Sequence, residues 1–304
     1  MMSPFPIRST RLLPRLLQAF HLQRWRIERV LGSGGDEAVH DLRVALRRTA
    51  SLASVGRGVP AAAVSRALQR CTRDLRRELS VHRSQEVSAA LLLERFEGDR
   101  RRRAAARATA RRIFGGPPPG SGLQAAAFLR RVDRLRSLFD ARERELSRLI
   151  RAGDLSAAGE SAADRLDRRA ALRLRKLAAR LAGAGPPRRP TLHAFRIAAK
   201  RLRYTLEFLE EAVPGAPSLL RSLRQFQDLS GDAHDRMELA AVVKRRAIAS
   251  RPGAPVRALV RPLEADARRA VAQALDAATG VLDQVRGLLA CLGPFPSKKG
   301  QLTA

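Results

Sequence analysis

The chain has 304 residues, with 59 Lys+Arg against 29 Asp+Glu and a formal net charge of +30 at pH 7. An excess of that size goes well beyond what solubility requires and selects anionic partners. Hydrophobic residues make up 45% of the chain and aromatics only 4%, so a core of Leu, Ala, Val and Ile is available, whereas an aromatic platform for stacking single-stranded bases is not.

Residues 1–10 read as a loose tail with no apolar stretch of the signal-peptide kind. From residue 11 onward, segments rich in Leu, Ala and Arg at helical spacing alternate with short Gly/Pro breaks, and no alternating β-branched run predicts a strand. A basic helix over about 11–31 is followed by a break at Gly32–Gly35 and then by VHDLRVALRRTASLA at Val39–Ala53. Further breaks fall at Gly56–Pro60, at Gly115–Gly122 (GGPPPGSG) and at Gly153–Gly159. A second basic helix over about 163–182 and a break at Gly183–Pro190 lead into LHAFRIAAKRLRYTL at Leu192–Leu206. After breaks at Pro214–Pro217 and Arg251–Pro255 the chain ends in a second tail, 293–304.

The two quoted segments resemble each other, with His40 aligned to His193 about half a chain apart, and each follows a basic helix. A shorter helix and then a longer one are expected after each. These features predict an all-α protein of two helical bundles, about four to five helices each, related by pseudo-two-fold symmetry. The expected organisation is one domain over 11–292 made of two half-repeats, 11–152 and 160–292. No apolar stretch approaches the length of a membrane span, so a soluble, cytoplasmic protein is expected.

With His193 in the first helical turn, Arg196, Lys200 and Arg203 fall on the same side of the helix. Phe195, Ala199, Leu202, Leu206 and Leu209 are expected on the opposite side, facing the bundle. The first copy gives His40, Arg43 and Arg47 as the stripe, backed by Leu42, Leu46 and Ala53, while Arg48 and Arg201 lie toward another edge. A histidine followed by cations at i+3, i+7 and i+10 runs roughly 15 Å along the axis. Such a stripe suits a polyanion better than a single phosphate. Arginine predominates, because only Lys176, Lys200, Lys244, Lys298 and Lys299 are lysines, and its planar fork fits phosphate oxygens. Phosphate charge favours protonated histidine, so binding is expected to tighten at mildly acidic pH. His21 and His82 are read as caps or packed side chains.

Nothing in the sequence demands a catalytic residue, a metal or a cofactor. Acidic residues mostly sit among arginines, as in Arg142–Glu143–Arg144–Glu145, the pattern of intrahelical ion pairs. Asp228, Asp232 and Asp235 form the one short cluster. They share a face only if a helix continues through Ser230–Gly231, and a helix N-cap role is the expected alternative. Cys71 and Cys291 have no Cys or His companions at metal-binding spacing, and a disulfide is not expected.

HxxRxxxRR at His40–Arg48 and HxxRxxxKRxRY at His193–Tyr204 resemble the paired signatures of the CHAD family, the conserved histidine α-helical domain. FQDLSGDAHD at Phe226–Asp235 resembles the family segment that follows the second motif, and LSVHRSQEV at Leu79–Val87 resembles a degraded form of its first-half equivalent. The resemblance implies two four-helix bundles around a basic surface and central pore that bind inorganic polyphosphate, often at polyphosphate granules. The implied contacts are His40, Arg43, Arg47 and Arg48 in one half, and His193, Arg196, Lys200, Arg201 and Arg203 in the other. Ala50 stands where the second motif has Arg203, and Ser84 stands where the family has Asp, so the second half is expected to bind more strongly. The alternative is a non-specific nucleic-acid-binding or scaffold protein. Some nucleic-acid affinity at low salt is expected in either case.

Overall fold

The computed structural model describes residues 12–33, 38–56, 62–114, 126–152, 161–251 and 254–292, with the side chains of 33 and 80–87 outside that description. The expected tails therefore lie outside the described residues, as do Gly115–Gly122, Gly153–Gly159, the side chain of His82 and that of Ser84. Among the described residues every regular element is helical. In chain order they are α1 (Leu12–Ser33), α2 (Ala38–Val55), α3 (Ala62–Arg95), α4 (Arg100–Phe114), α5 (Ala126–Arg151), α6 (Ala162–Gly183), α7 (Leu192–Leu209), a 3-10 turn (Glu210–Ala212), α8 (Ala216–Ile248) and α9 (Arg257–Cys291).

The expected order of a shorter and then a longer helix fails after the first motif, where α3 has 34 residues and α4 has 15, while after the second motif α8 has 33 and α9 has 35. The motif helices α2 and α7 are each followed by a long one. In α3 the buried series Leu68, Leu75, Leu79 and Leu92 sustains the apolar stripe with no Gly or Pro to end it. Both α4 and α5 pack on α3, much as the single helix α9 packs along α8. The Gly/Pro-rich GGPPPGSG falls between α4 and α5 in the sequence.

Packing sorts most of the helices into two rings. In one, α1 touches α2 and α5, and α3 touches α2 and α5; in the other, α6 touches α7 and α9, and α8 touches α7 and α9. Contacts between the rings pair α1 with α6, α2 with α7 and α3 with α8. One apolar core runs through both halves, from Leu16, Phe20 and Leu46 to Leu206, Phe226 and Leu282. A second, smaller core joins the ends of α3 and α4 to those of α8 and α9 through Leu92, Phe96, Leu239, Val243, Leu259 and Leu263.

The motif helices show why the site sits where it does. In α7 the buried residues Leu192, Phe195, Ala199 and Leu202 each precede one of His193, Arg196, Lys200 and Arg203. In α2 the buried Val39, Leu42 and Leu46 precede His40, Arg43 and Arg47 in the same way. A one-residue step is about 100° on a helix. The cationic stripe therefore lies beside the apolar stripe rather than opposite it, and burial of the core draws Arg43, Arg47, Arg196, Lys200 and Arg203 into half-buried positions. Each large apolar residue so buried contributes roughly 1.5–3 kcal/mol, and the core as a whole offsets the cost of desolvating the cations at its edge.

Candidate functional site

Because α2 packs on α7, the two stripes open into one cleft of about 670 Å³. His40, Arg43 and Arg47 enter from α2, and His193, Arg196, Lys200 and Arg203 from α7. Seven of the nine sequence-predicted residues are thus brought together. Arg48 and Arg201 are not among them, since each directly follows a stripe residue and is turned about 100° away from it. Arg48 lies 3.5 Å from Glu207 and borders a separate hollow with Arg26, Arg29 and Asp41. Arg201 is exposed and borders a groove with Leu177, Arg180 and Pro187.

The cations crowd one another. Burial, followed by the charges of Arg196, Arg47 and Arg203, lowers the Lys200 ammonium to a pKa of about 7, with Asp235 opposing. Arg196 is also lowered, by burial first and then by Arg47, and Asp235 again opposes. The Nε atoms of Arg196 and Arg203 are buried with no hydrogen-bond partner among the described residues. Arg203 stacks 4.8 Å over the Tyr204 ring and lies 3.5 Å from Glu207. Arg43 donates from Nη1 to the Leu79 carbonyl at 2.9 Å, which ties α2 to α3 at the cleft margin.

The remaining wall was missed in the sequence. Helix α8 runs without interruption through Ser230–Gly231, so Asp228, Asp232 and Asp235 are not N-caps; all three line the cleft, together with Gln227, His234 and Glu238. Glycine is not sterically required at position 231, since a Cβ there would stand 3.7 Å from Arg196 Nη2, an ordinary van der Waals contact. Asp232 is largely neutralised by Arg236, whose Nε donates to both carboxylate oxygens at 2.8 and 2.7 Å. The His234 ring lies 5.4 Å from that of His193, and burial followed by the Arg196 charge lowers its pKa. Glu207 was missed too: it lies within 3.5–3.9 Å of Arg48, Arg203 and Arg224 and so joins α2, α7 and α8. A further missed cation, Arg76 on α3, is lowered by burial and by Arg47. Only the tertiary packing of α3 places it there.

A metal was not expected, yet the ligand atoms of His234, Asp235 and Glu238 lie within 4.8 Å of one another. This donor set, one imidazole and two carboxylates, suits a divalent cation of the zinc or manganese type. The signal was present as H-D-x-x-E, whose first and last residues are one helical turn apart. Elsewhere, His21 is neither a cap nor packed; it is more than half exposed in mid-α1, 3.6 Å from Glu143. Glu143 also accepts from Arg24 at 3.0 Å, whereas Arg142 and Glu145 do form the expected intrahelical pair at 2.7 Å. Both cysteines are free.

The family model for the CHAD domain matches residues 16–244. The chain belongs to the CHAD family. A crystal structure of the CHAD domain from the plant Ricinus communis is similar in fold, with a TM-score of 0.58 at 21% sequence identity, covering 96% of this chain and 98% of that one. No curated protein matches the chain. The matched region takes in both motif helices and all but the last turn of α8, so the whole cleft lies within the CHAD domain. No described helix is long and apolar enough to cross a membrane.

Proposed function

We propose that this CHAD protein binds inorganic polyphosphate in the cleft between α2, α7 and α8, and that it holds the polymer rather than cleaving it. The observation that carries this reading is the crowding of Arg47, Arg196, Lys200 and Arg203 around one half-buried space. Like charges brought together under desolvation destabilise the free protein and are relieved by an anion carrying several charges. Two cationic edges facing one space suit a thin, flexible chain with an anion at every link. Of the nine residues implicated by the motifs, His40, Arg43, Arg47, His193, Arg196, Lys200 and Arg203 are the proposed contacts, and Arg48 and Arg201 are assigned supporting roles outside the cleft.

Such a binder is expected to associate with polyphosphate granules in the cytoplasm, which a fluorescent fusion would show as coincidence with stained granules that is lost in an Arg196→Ala/Lys200→Ala variant. Isothermal titration with long-chain polyphosphate tests the binding itself: the wild type is expected to saturate with heat, and the variant to lose most of it. One observation favours a second reading, a metal-dependent phosphohydrolase, because His234, Asp235 and Glu238 border the same cleft. Incubating the protein and polyphosphate with Mg²⁺, Mn²⁺ or Zn²⁺ decides between them. Shortening of the polymer or release of inorganic phosphate would replace binding by catalysis as the function.

A further inference from the structure

Helix α4 has seven arginines in 15 residues and no acidic residue. It packs on α3 and α9, buries Ala106, Thr109 and Ala110, and contributes nothing to the cleft described above. Its opposite face exposes Arg100, Arg103, Arg107 and Arg111 at helical spacing, with Arg101 and Arg112 at the edge and Ala104 and Ala108 between them. Among the described residues Arg102 alone of these arginines has a carboxylate partner, Asp99 at 2.9 Å, and it lies off this face.

Other arginine-rich helices of the protein match their charge. Arg24 meets Asp140 and Glu143, Arg136 meets Glu28 and Asp133, and Arg131 meets Glu78. On α4, Arg103, Arg107 and Arg111 follow one another at i+4, an arrangement that costs the isolated helix a few tenths of a kcal/mol per pair. No described carboxylate offsets it.

We propose that the exposed face of α4 is a docking surface for the phosphate backbone of duplex nucleic acid, separate from the polyphosphate cleft. The stripe from Arg100 to Arg111 rises about 16 Å, which spans several phosphates of a duplex carrying one charge per roughly 1.7 Å of axis. The face is solvent-exposed from Arg100 to Arg111, so it offers the phosphate backbone of a stiff duplex several simultaneous contacts, whereas a thin polyphosphate chain would be held on one side only. Alanine at 104 and 108 lets such a surface approach the helix closely. The absence of Leu, Phe or Trp among the exposed α4 residues removes the apolar anchor that an interfacial membrane helix uses.

The test is fluorescence anisotropy with a duplex DNA of about 20 base pairs between 50 and 200 mM salt, run beside a polyphosphate titration. Arg103→Ala/Arg107→Ala/Arg111→Ala is compared with wild type and with a control that removes Arg144, Arg148 and Arg151, which are exposed on α5. A matching triple Gln variant keeps the side-chain stems and covers any loss of helix, with folding checked by circular dichroism. The α4 variants are expected to lose about tenfold or more in duplex affinity, and the slope of log K against log salt is expected to fall by about 2.7, or 0.9 for each lost phosphate contact. Polyphosphate affinity should change less than twofold. The proposal is overturned if the α5 control loses as much slope, or if duplex affinity is unchanged. An equal loss for polyphosphate also overturns it and makes α4 a continuation of the polyphosphate path.

Discussion

Removing the proton that Lys200 must carry is the sharpest perturbation the cleft offers. With a pKa of about 7 the side chain is roughly half neutral at pH 7 in the free protein, because burial and its arginine neighbours oppose the charge. A bound polyanion reverses that balance and returns the ammonium toward its ordinary value near 10.4. Binding then takes up about half a proton at pH 7 and about nine-tenths at pH 8, and the affinity contributed by this group falls about tenfold from pH 6 to pH 8, or about 1.4 kcal/mol. Isothermal titration of long-chain polyphosphate in two buffers of different ionisation enthalpy measures the uptake directly. Lys200→Met keeps the stem and removes the titration, so its uptake at pH 8 should drop by most of one proton. A wild type whose affinity and uptake do not vary with pH, or a Lys200→Met protein with the same uptake, would show that Lys200 does not meet the ligand.

The same residue predicts a stability effect of opposite sign to its role in binding. Since the folded pKa is lowered, the unfolded chain binds the extra proton, and stability rises as pH goes from about 7 toward 10. Lys200→Met should therefore raise Tm in the absence of polyphosphate, more at pH 6 than at pH 9, by calorimetry. At Gly231 an added Cβ meets Arg196 only at van der Waals distance, so Gly231→Ala should bind normally and gain about 0.5–1 kcal/mol in denaturant melts, whereas Gly231→Leu should weaken polyphosphate binding by crowding Arg196. Arg142 is fully buried, donating at 2.9 Å to the Gly56 carbonyl and pairing with Glu145. Arg142→Ala should cost about 3–5 kcal/mol in urea unfolding. Gly56→Ala, whose Cβ would stand 2.5 Å from Arg142 Nη2, should cost roughly 1–3 kcal/mol.

The cationic stripes were legible because a helix repeats every 3.6 residues, and His193, Arg196, Lys200 and Arg203 keep that period in the chain itself. Their half-buried state was not, because it depends on the apolar stripe one residue behind being covered by α2 and α8. Local propensity misled at Gly231. A glycine after Ser230 suggests a break, but α8 is held helical on both sides by buried Phe226, Ala233 and Leu239. Asp228, Asp232 and Asp235 then became a wall of the cleft rather than caps. Arg76 and Glu207 had no local signal at all, since only the packing of α3 on α2, and of α2 and α8 on α7, decides what they meet. Arg48 and Arg201 matched the motif as letters, yet a single residue step carries them off the cleft.

The central claim is that a built cleft, rather than bulk charge, selects polyphosphate. It is tested most directly by titrating long-chain polyphosphate at about 150 mM salt, near the physiological ionic strength at which exposed charges are screened beyond about 8 Å, with duplex DNA as competitor. Wild type is compared with His193→Ala/Lys200→Ala. Binding that survives excess DNA and falls at least tenfold in the double variant is the predicted result. Equal competition by DNA, with the variant binding like wild type, would contradict the account.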